Sequence, residues 1–230
     1  MQILSARMRS SIPGGVLLRA AVLDLDHTLF DPHTLPRATF LRLETQVRQL
    51  AAGVVSETAL EAALADAWRF PFDSVVKLHA LPEALTTAWR DAACALEVTE
   101  PLIPFPDVVD GLQQLSLRRF LLTTGFRRFQ ESKVRQLGLA CLFEAVYVDA
   151  LDPPGPLGKR ALLERLLREH ALKASEVIVV GDRADDELSA GAALGMVVVQ
   201  VLRPGVVPDR GIALQIPDLA ALPALVAQLS

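Results

Sequence analysis

The sequence predicts an α/β fold, a Rossmann-like parallel sheet flanked by helices, with an α-helical block inserted after the first strand. Three observations carry this expectation. Residues 20–25, AAVLDL, are apolar on both faces and too few for a helix, as a buried parallel strand is. Residues 34–100 show helical periodicity and no strand signal. Beyond the proline-punctuated EPLIPFPD, strand-like and helix-like segments alternate.

In chain order, PRATFLRLETQVRQLAAG sets Phe40, Leu43, Val47 and Leu50 at helical spacing between Pro36, suited to a helix start, and Gly53, suited to its stop. SETALEAALADAWRF begins at a Ser56 cap and halts at Pro71. A third helix is expected over 73–80. A fourth, over 82–97, has Leu85, Ala88, Trp89, Ala92 and Leu96 on one face, and Trp68 and Trp89 read as core. Then follow the strand FLLTT, a helix over about 127–137 stopped by Gly138, and the strand AVYVD. A helix over 159–170, the strand EVIVV, a helix over 185–194 and the strand VVVQVL complete the pattern. The expected organisation is a tail over 1–19, a core from 20–33 and 101–230, and a helical block over 34–100.

The chain has 230 residues, 51% of them hydrophobic, enough for one sizeable core or a core carrying a smaller insert. A net charge of −4 and 5% aromatic residues advertise neither a phosphate-neutralising surface nor a base-stacking platform, so no nucleic-acid partner is expected. Cys94 and Cys141 stand apart from any CxxC or Cys/His spacing, which argues against a disulfide framework and a zinc site and for a reduced, cytoplasmic setting. No apolar run approaches the roughly 18 residues of a membrane span, and no membrane association is expected. MQILSARMRSSIPGG lacks the apolar core of a secretory signal and reads as a mobile tail. Assembly state has no sequence signature.

Ligands of open parallel sheets bind at the carboxyl ends of the strands, and polar residues collect there. The first strand ends in Asp24 and Asp26, FLLTT in Thr123 and Thr124 before Gly125, and EVIVV in Gly181 and Asp182. One such Asp is an ordinary turn residue or cap, whereas three strands ending in oxygen ligands point to a site. Residues i and i+2 of an extended chain face the same way, so Asp24 and Asp26 repel unless a cation lies between them. Asp182 would complete a hard, all-oxygen site suited to Mg²⁺. Asp185, Asp186 and Glu187 follow at a helix start, where the macrodipole favours acids, and either Asp186 or Glu187 could face the metal.

An anionic substrate also needs a cation, and the chain has four lysines. Lys77 lies in the inserted block, Lys133 well inside a helix, and Lys173 before a strand at the opposite edge. Lys159 opens a helix after a strand, at the right edge. GPLGKR is too short for a P-loop and has Arg160 in place of the metal-binding Ser or Thr. His27, His33, His79 and His170 share no ligand spacing and read as surface or structural, and Phe126, Arg127 and Arg128 could edge the site.

These residues resemble the haloacid dehalogenase superfamily. DLDHT is similar to its DxDxT motif, FLLTTG to its strand ending in Thr or Ser, Lys159 to its lysine, and VVGDRADDELSAGAALGM to its acidic fourth motif. An all-helical insert just after the first motif is similar to the type-one cap of subfamily I. The resemblance implies phosphoryl transfer in two steps. Asp24 would be the nucleophile forming an aspartyl phosphate, and Asp26 the acid and then the base. Thr123 and Lys159, with Thr124 and Gly125, would hold the phosphoryl oxygens, and Mg²⁺ would bind Asp24, the Asp26 carbonyl and Asp182. The register of Gly195 and Met196 favours Glu187 as the second acid of the fourth motif. The family's dehalogenases lack the second Asp and need no metal, so Asp26 points to a phosphatase acting on a small phosphorylated metabolite. A sugar phosphomutase on the same core, or a non-catalytic phosphoryl-accepting protein, are the alternatives. His27 stands where the family often has Gly, and Lys159 lacks the Pro that often follows.

Overall fold

The computed structural model describes residues 17–67 and 72–229. Most of the expected tail, and Trp68, Arg69 and Pro71, lie outside the described residues. Six parallel strands are β1 Ala20–Leu23, β2 Arg118–Gly125, β3 Ala145–Ala150, β4 Val177–Gly181, β5 Val197–Val201 and β6 Leu214–Ile216, in the order β3-β2-β1-β4-β5-β6. This is a doubly wound sheet whose order reverses at β1. Strand β1 begins at Ala20 as expected, while packed structure reaches two residues into the expected tail. Leu18 is already buried, and the Arg19 N–H donates to the Glu176 carbonyl.

Between β1 and β2 lie the helices α1 Ala38–Ala51, α2 Glu57–Asp66, α3 Phe72–Leu78 and α4 Glu83–Cys94. Ser56 caps α2, its Oγ accepting from the Ala59 N–H at 3.2 Å. These helices bury their own cluster, Val47, Ala51, Leu60, Val75, Leu85 and Trp89 among its members, and Phe126 from the end of β2 joins it. The buried face of α1 differs from the expected one. Val47 and Ala51 are inside while Leu50 is 45% exposed, because the helix packs on α4 along a stripe one residue further round.

The other described residues form the core. Helices α5 Val108–Gln113, α6 Arg127–Gln136 and α9 Leu222–Leu229 cover one sheet face, where Ala21, Leu23, Leu121, Ile178 and Val180 point. Helices α7 Lys159–Glu169 and α8 Ser189–Ala193 cover the other, where Ala20, Val22, Phe120, Leu122 and Val179 point. The period-two alternation of fully buried side chains to both faces is what an apolar parallel strand requires. Three elements had no expectation attached. Strand β6 is a three-residue edge, α9 is almost wholly apolar, and α5 contains Gly111, where a Cβ would meet the Leu219 carbonyl oxygen at 2.6 Å. The expected helix 185–194 is a π-type turn, Ala184–Leu188, running into α8 through a kink at Asp186 (φ −121°, ψ −107°).

One buried cation pins the loop after β1. The Arg203 guanidinium donates to the Thr28 carbonyl at 2.9 and 3.1 Å and to both oxygens of Asp107 at 2.7 and 2.8 Å, and its Cζ lies 4.2 Å from the Phe105 ring centre. Its rigid fork suits such a bidentate clamp.

Candidate active site

Register alone brings three strand ends together. Leu23 pairs with Leu121 on one side and Val180 on the other. Asp24 therefore leaves the sheet one residue further on, beside the carboxyl ends that carry Thr123 and Asp182. The Asp24 N–H still donates to the Val180 carbonyl at 3.0 Å, which holds the backbone of the first acid against β4. Asp24, Asp26, Thr123, Thr124, Gly125, Lys159, Asp182 and Asp186 all line one cavity of about 840 Å³ between the sheet and the helical insertion. Its outer wall is apolar, with Leu43, Leu64, Phe72, Trp89 and Phe126 among its residues.

Lys159 is the hub. It opens α7, and the loop before it is held by the buried Asp149, which accepts the N–H groups of Leu157 and Gly158 at 2.8 and 3.0 Å. Its ammonium, itself buried, lies 2.7 Å from Asp24 Oδ1, 2.7 Å from Glu187 Oε2 and 3.1 Å from Asp186 Oδ2. Both candidate acids of the turn thus reach the same lysine. Glu187 is the buried one, and its other oxygen accepts the Arg183 N–H at 2.9 Å. It lies so close over the end of β4 that a Cβ on Gly181 would sit 2.1 Å from its Oε1. Only glycine fits there.

The second acid has a different cation. Lys133, from the middle of α6, places its buried ammonium 2.9 Å from both oxygens of Asp26 and 4.5 Å from the Phe129 ring centre. Gln130, one helical turn before it, donates to Asp26 Oδ2 at 3.3 Å and to the Thr124 carbonyl at 2.6 Å. Gly125 leaves room for that amide, since a Cβ there would meet Gln130 Nε2 at 2.4 Å. Sequence reasoning set Lys133 aside because it lies inside a helix. The usable signal was Gln130 and Lys133 at i, i+3 on one helix face, pointing back toward the strand ends.

The electrostatics show a site short of positive charge. Burial and the nearby Glu187 push Asp182 up to about 7. Burial works against the Lys159 ammonium, yet Asp24, Glu187 and Asp186 outweigh it and hold the lysine above its ordinary value. Burial, with Glu187 and Asp182, raises Asp24 against the pull of Lys159. Asp24 and Asp182, oxygen donors on adjacent strand ends of one cavity, therefore fit a hard divalent cation such as Mg²⁺, whose charge would relieve this repulsion. The other two expected ligands have protein partners, Lys133 and Gln130 on the Asp26 carboxylate and Lys159 and the Arg183 N–H on Glu187.

A pH dependence follows. Asp182 is raised in the folded chain, so between about pH 4 and 7 the folded state binds more protons than the unfolded state. Metal-free stability should fall as pH rises through that window and level off above it. Urea midpoints in chelator, taken at about pH 5 and about pH 8, check this, and added Mg²⁺ should raise the midpoint more at the higher pH. A midpoint that climbs with pH in chelator contradicts it.

The arginines after β2 stay out of the cavity lining. Arg128 pairs with Glu97 and Arg127 with Glu131. His79 pairs with Asp66, and His170 contacts Tyr147 and Arg118. Asp31 caps the 3₁₀ turn Pro32–Thr34 by accepting the His33 N–H at 2.9 Å. Among the described residues, one group of three metal-capable side chains has its ligand atoms within 4.8 Å of one another, His27, Asp31 and His33. The sequence had separated those histidines.

A family model described as haloacid dehalogenase-like hydrolase matches residues 18–195. The chain is 25% identical over 215 residues to a glyceraldehyde 3-phosphate phosphatase of Methanopyrus kandleri, covering 81% of this chain and 85% of the relative. Among solved structures it is similar to a HAD phosphatase from Thermococcus onnurineus, with TM-score 0.59 and 20% identity over 91% of this chain and 98% of that one. It is also similar to L-2-haloacid dehalogenase from Xanthobacter autotrophicus, with TM-score 0.58 and 19% identity over 93% of this chain and all of that one (100%).

Proposed function

Because the chain belongs to the haloacid dehalogenase-like hydrolases, we propose that it is a Mg²⁺-dependent phosphatase acting on a small phosphorylated metabolite through an aspartyl-phosphate intermediate. The observation that carries this reading is the second acid. Asp26 faces the same cavity as Asp24 and is held there by Lys133 and Gln130, so a proton donor and acceptor stands beside the nucleophile. Displacing a halide ion requires no proton for the leaving group, whereas displacing an alkoxide from phosphorus does. The phosphatase name of the Methanopyrus relative supports the same choice and makes a triose phosphate the first substrate to try.

In this reading Thr123 and Lys159 hold the phosphoryl oxygens while the Asp24 carboxylate attacks phosphorus in line. The ester P–O bond breaks, and Asp26 gives its proton to the departing oxygen. Asp26 then takes a proton from water as that water attacks the aspartyl phosphate, releasing phosphate and restoring Asp24. A Mg²⁺ ion held by Asp24, Asp182 and the Asp26 carbonyl would neutralise phosphoryl charge. The helical insertion acts as the cap, and its apolar wall excludes water from the leaving-group side. The free Cys94 and Cys141 suit a cytoplasmic enzyme.

The test is phosphate release from a panel of triose, sugar and short-chain phosphate esters, with Mg²⁺ and with chelator. Metal-dependent release is expected. Halide release from 2-haloacids with no phosphate release from any ester would overturn the proposal.

A further inference from the structure

The first motif contains a residue whose backbone does not suit it. His27 has φ +57°, the left-handed region that costs a side-chain-bearing residue on the order of 1 kcal/mol and that glycine adopts freely. Strain kept at one position asks what the side chain supplies there. The imidazole of His27 lies half-buried beside the ring of His33, centres 5.5 Å apart and planes tilted by 59°, an angle that excludes stacking. Asp31 stands with them, and the three ligand atoms lie within 4.8 Å of one another.

The arrangement is also pre-set. One oxygen of Asp31 accepts the His33 N–H, which fixes the carboxylate relative to the turn, and Pro32 stiffens that turn. All three residues line a second cavity of about 790 Å³, which shares His27, His33 and Asp182 with the active-site cavity, so further coordination positions open to water. We propose that His27, Asp31 and His33 bind a divalent transition-metal ion of borderline softness, of the Zn²⁺ or Co²⁺ kind, where the chain leaves the sheet for the helical insertion. Two imidazoles and one carboxylate suit such an ion and not Mg²⁺, which takes oxygen. The site is separate from the Asp24–Asp182 pair in its ligands and in its chemistry, and does not depend on the phosphatase reading. A bound ion would tie the nucleophile loop at His27 to the 3₁₀ turn at His33 that leads into the insertion.

The experiment is a Co²⁺ titration of the full chain in excess Mg²⁺, followed by visible d–d absorbance. One equivalent should bind with the strong absorbance of a nitrogen-containing, low-coordinate site. His33→Ala removes an exposed side chain, and His27→Gly places at φ +57° the residue that prefers it, so neither variant threatens the fold. Each should weaken Co²⁺ binding by more than about 100-fold, beyond the roughly 10- to 100-fold cost of losing a mere supporting hydrogen bond. Asp24→Asn, which alters the other site at a residue outside this second cavity, should leave the absorbance unchanged. No absorbance, absorbance that survives His33→Ala, or absorbance lost with Asp24→Asn would each overturn the proposal.

Discussion

Replacing Asp24 with Asn is expected to reduce phosphate release by at least about four orders of magnitude while the chain still folds. The amide keeps the volume of the carboxylate but cannot form the acyl-phosphate bond, and loss of a covalent nucleophile is among the costliest single changes in an enzyme. Folding should survive because Lys159 keeps two of its three acids, Glu187 at 2.7 Å and Asp186 at 3.1 Å. Removing this buried negative charge also ends its repulsion with Glu187 and Asp182. Steady-state phosphate release, together with mass detection of the phosphorylated chain, is the measurement. Retained turnover would remove Asp24 from the chemistry, and turnover lost together with the thermal unfolding transition would mark a structural role instead.

The second large effect is on stability. Lys159→Met should destabilise the chain by about 3–5 kcal/mol, the usual cost of breaking a buried ion pair and leaving its partner charged. The lysine, 6% exposed, serves Asp24 at 6% and Glu187 at 1%, none of which water can resolvate without opening the site. Without the ammonium the Asp24 carboxyl, already raised by burial, rises further above its unfolded value. The folded variant then binds more protons than the unfolded chain, so its deficit should shrink as pH falls and widen as pH rises through neutrality. Urea unfolding at several pH values reads this directly. Activity should fall by about 10²–10³, the cost of losing one preorganised charge at a reacting group. A stability loss below about 1 kcal/mol would mean that the three acids find other partners.

Much of this was legible in the chain. AVLDLDHT announced a central strand by being apolar on both faces, and the helical insertion by the loss of strand signal until EPLIPFPD. Lys159 was found by elimination because position along an alternating pattern tells which edge of the sheet a helix start occupies. Lys133 was passed over because the same argument says nothing of a residue within a helix, whose reach depends on the face turned to the sheet. The histidines were passed over for a related reason. Spacing rules describe helices and strands, and His27, Asp31 and His33 converge around a turn whose φ of +57° no periodicity encodes.

By itself the sequence determined the class of fold, the place of the insertion and the presence of oxygen ligands at three strand ends, because these follow from apolar periodicity and strand order, which are local properties. Tertiary structure alone decided which cation serves which acid, Lys159 for Asp24 and Glu187 and Lys133 for Asp26. It also decided that glycines at 125 and 181 are there to let Gln130 and Glu187 lie over the strand ends. Such pairings join residues up to 135 positions apart, and over that span only packing sets the distance between charges on which their energies depend.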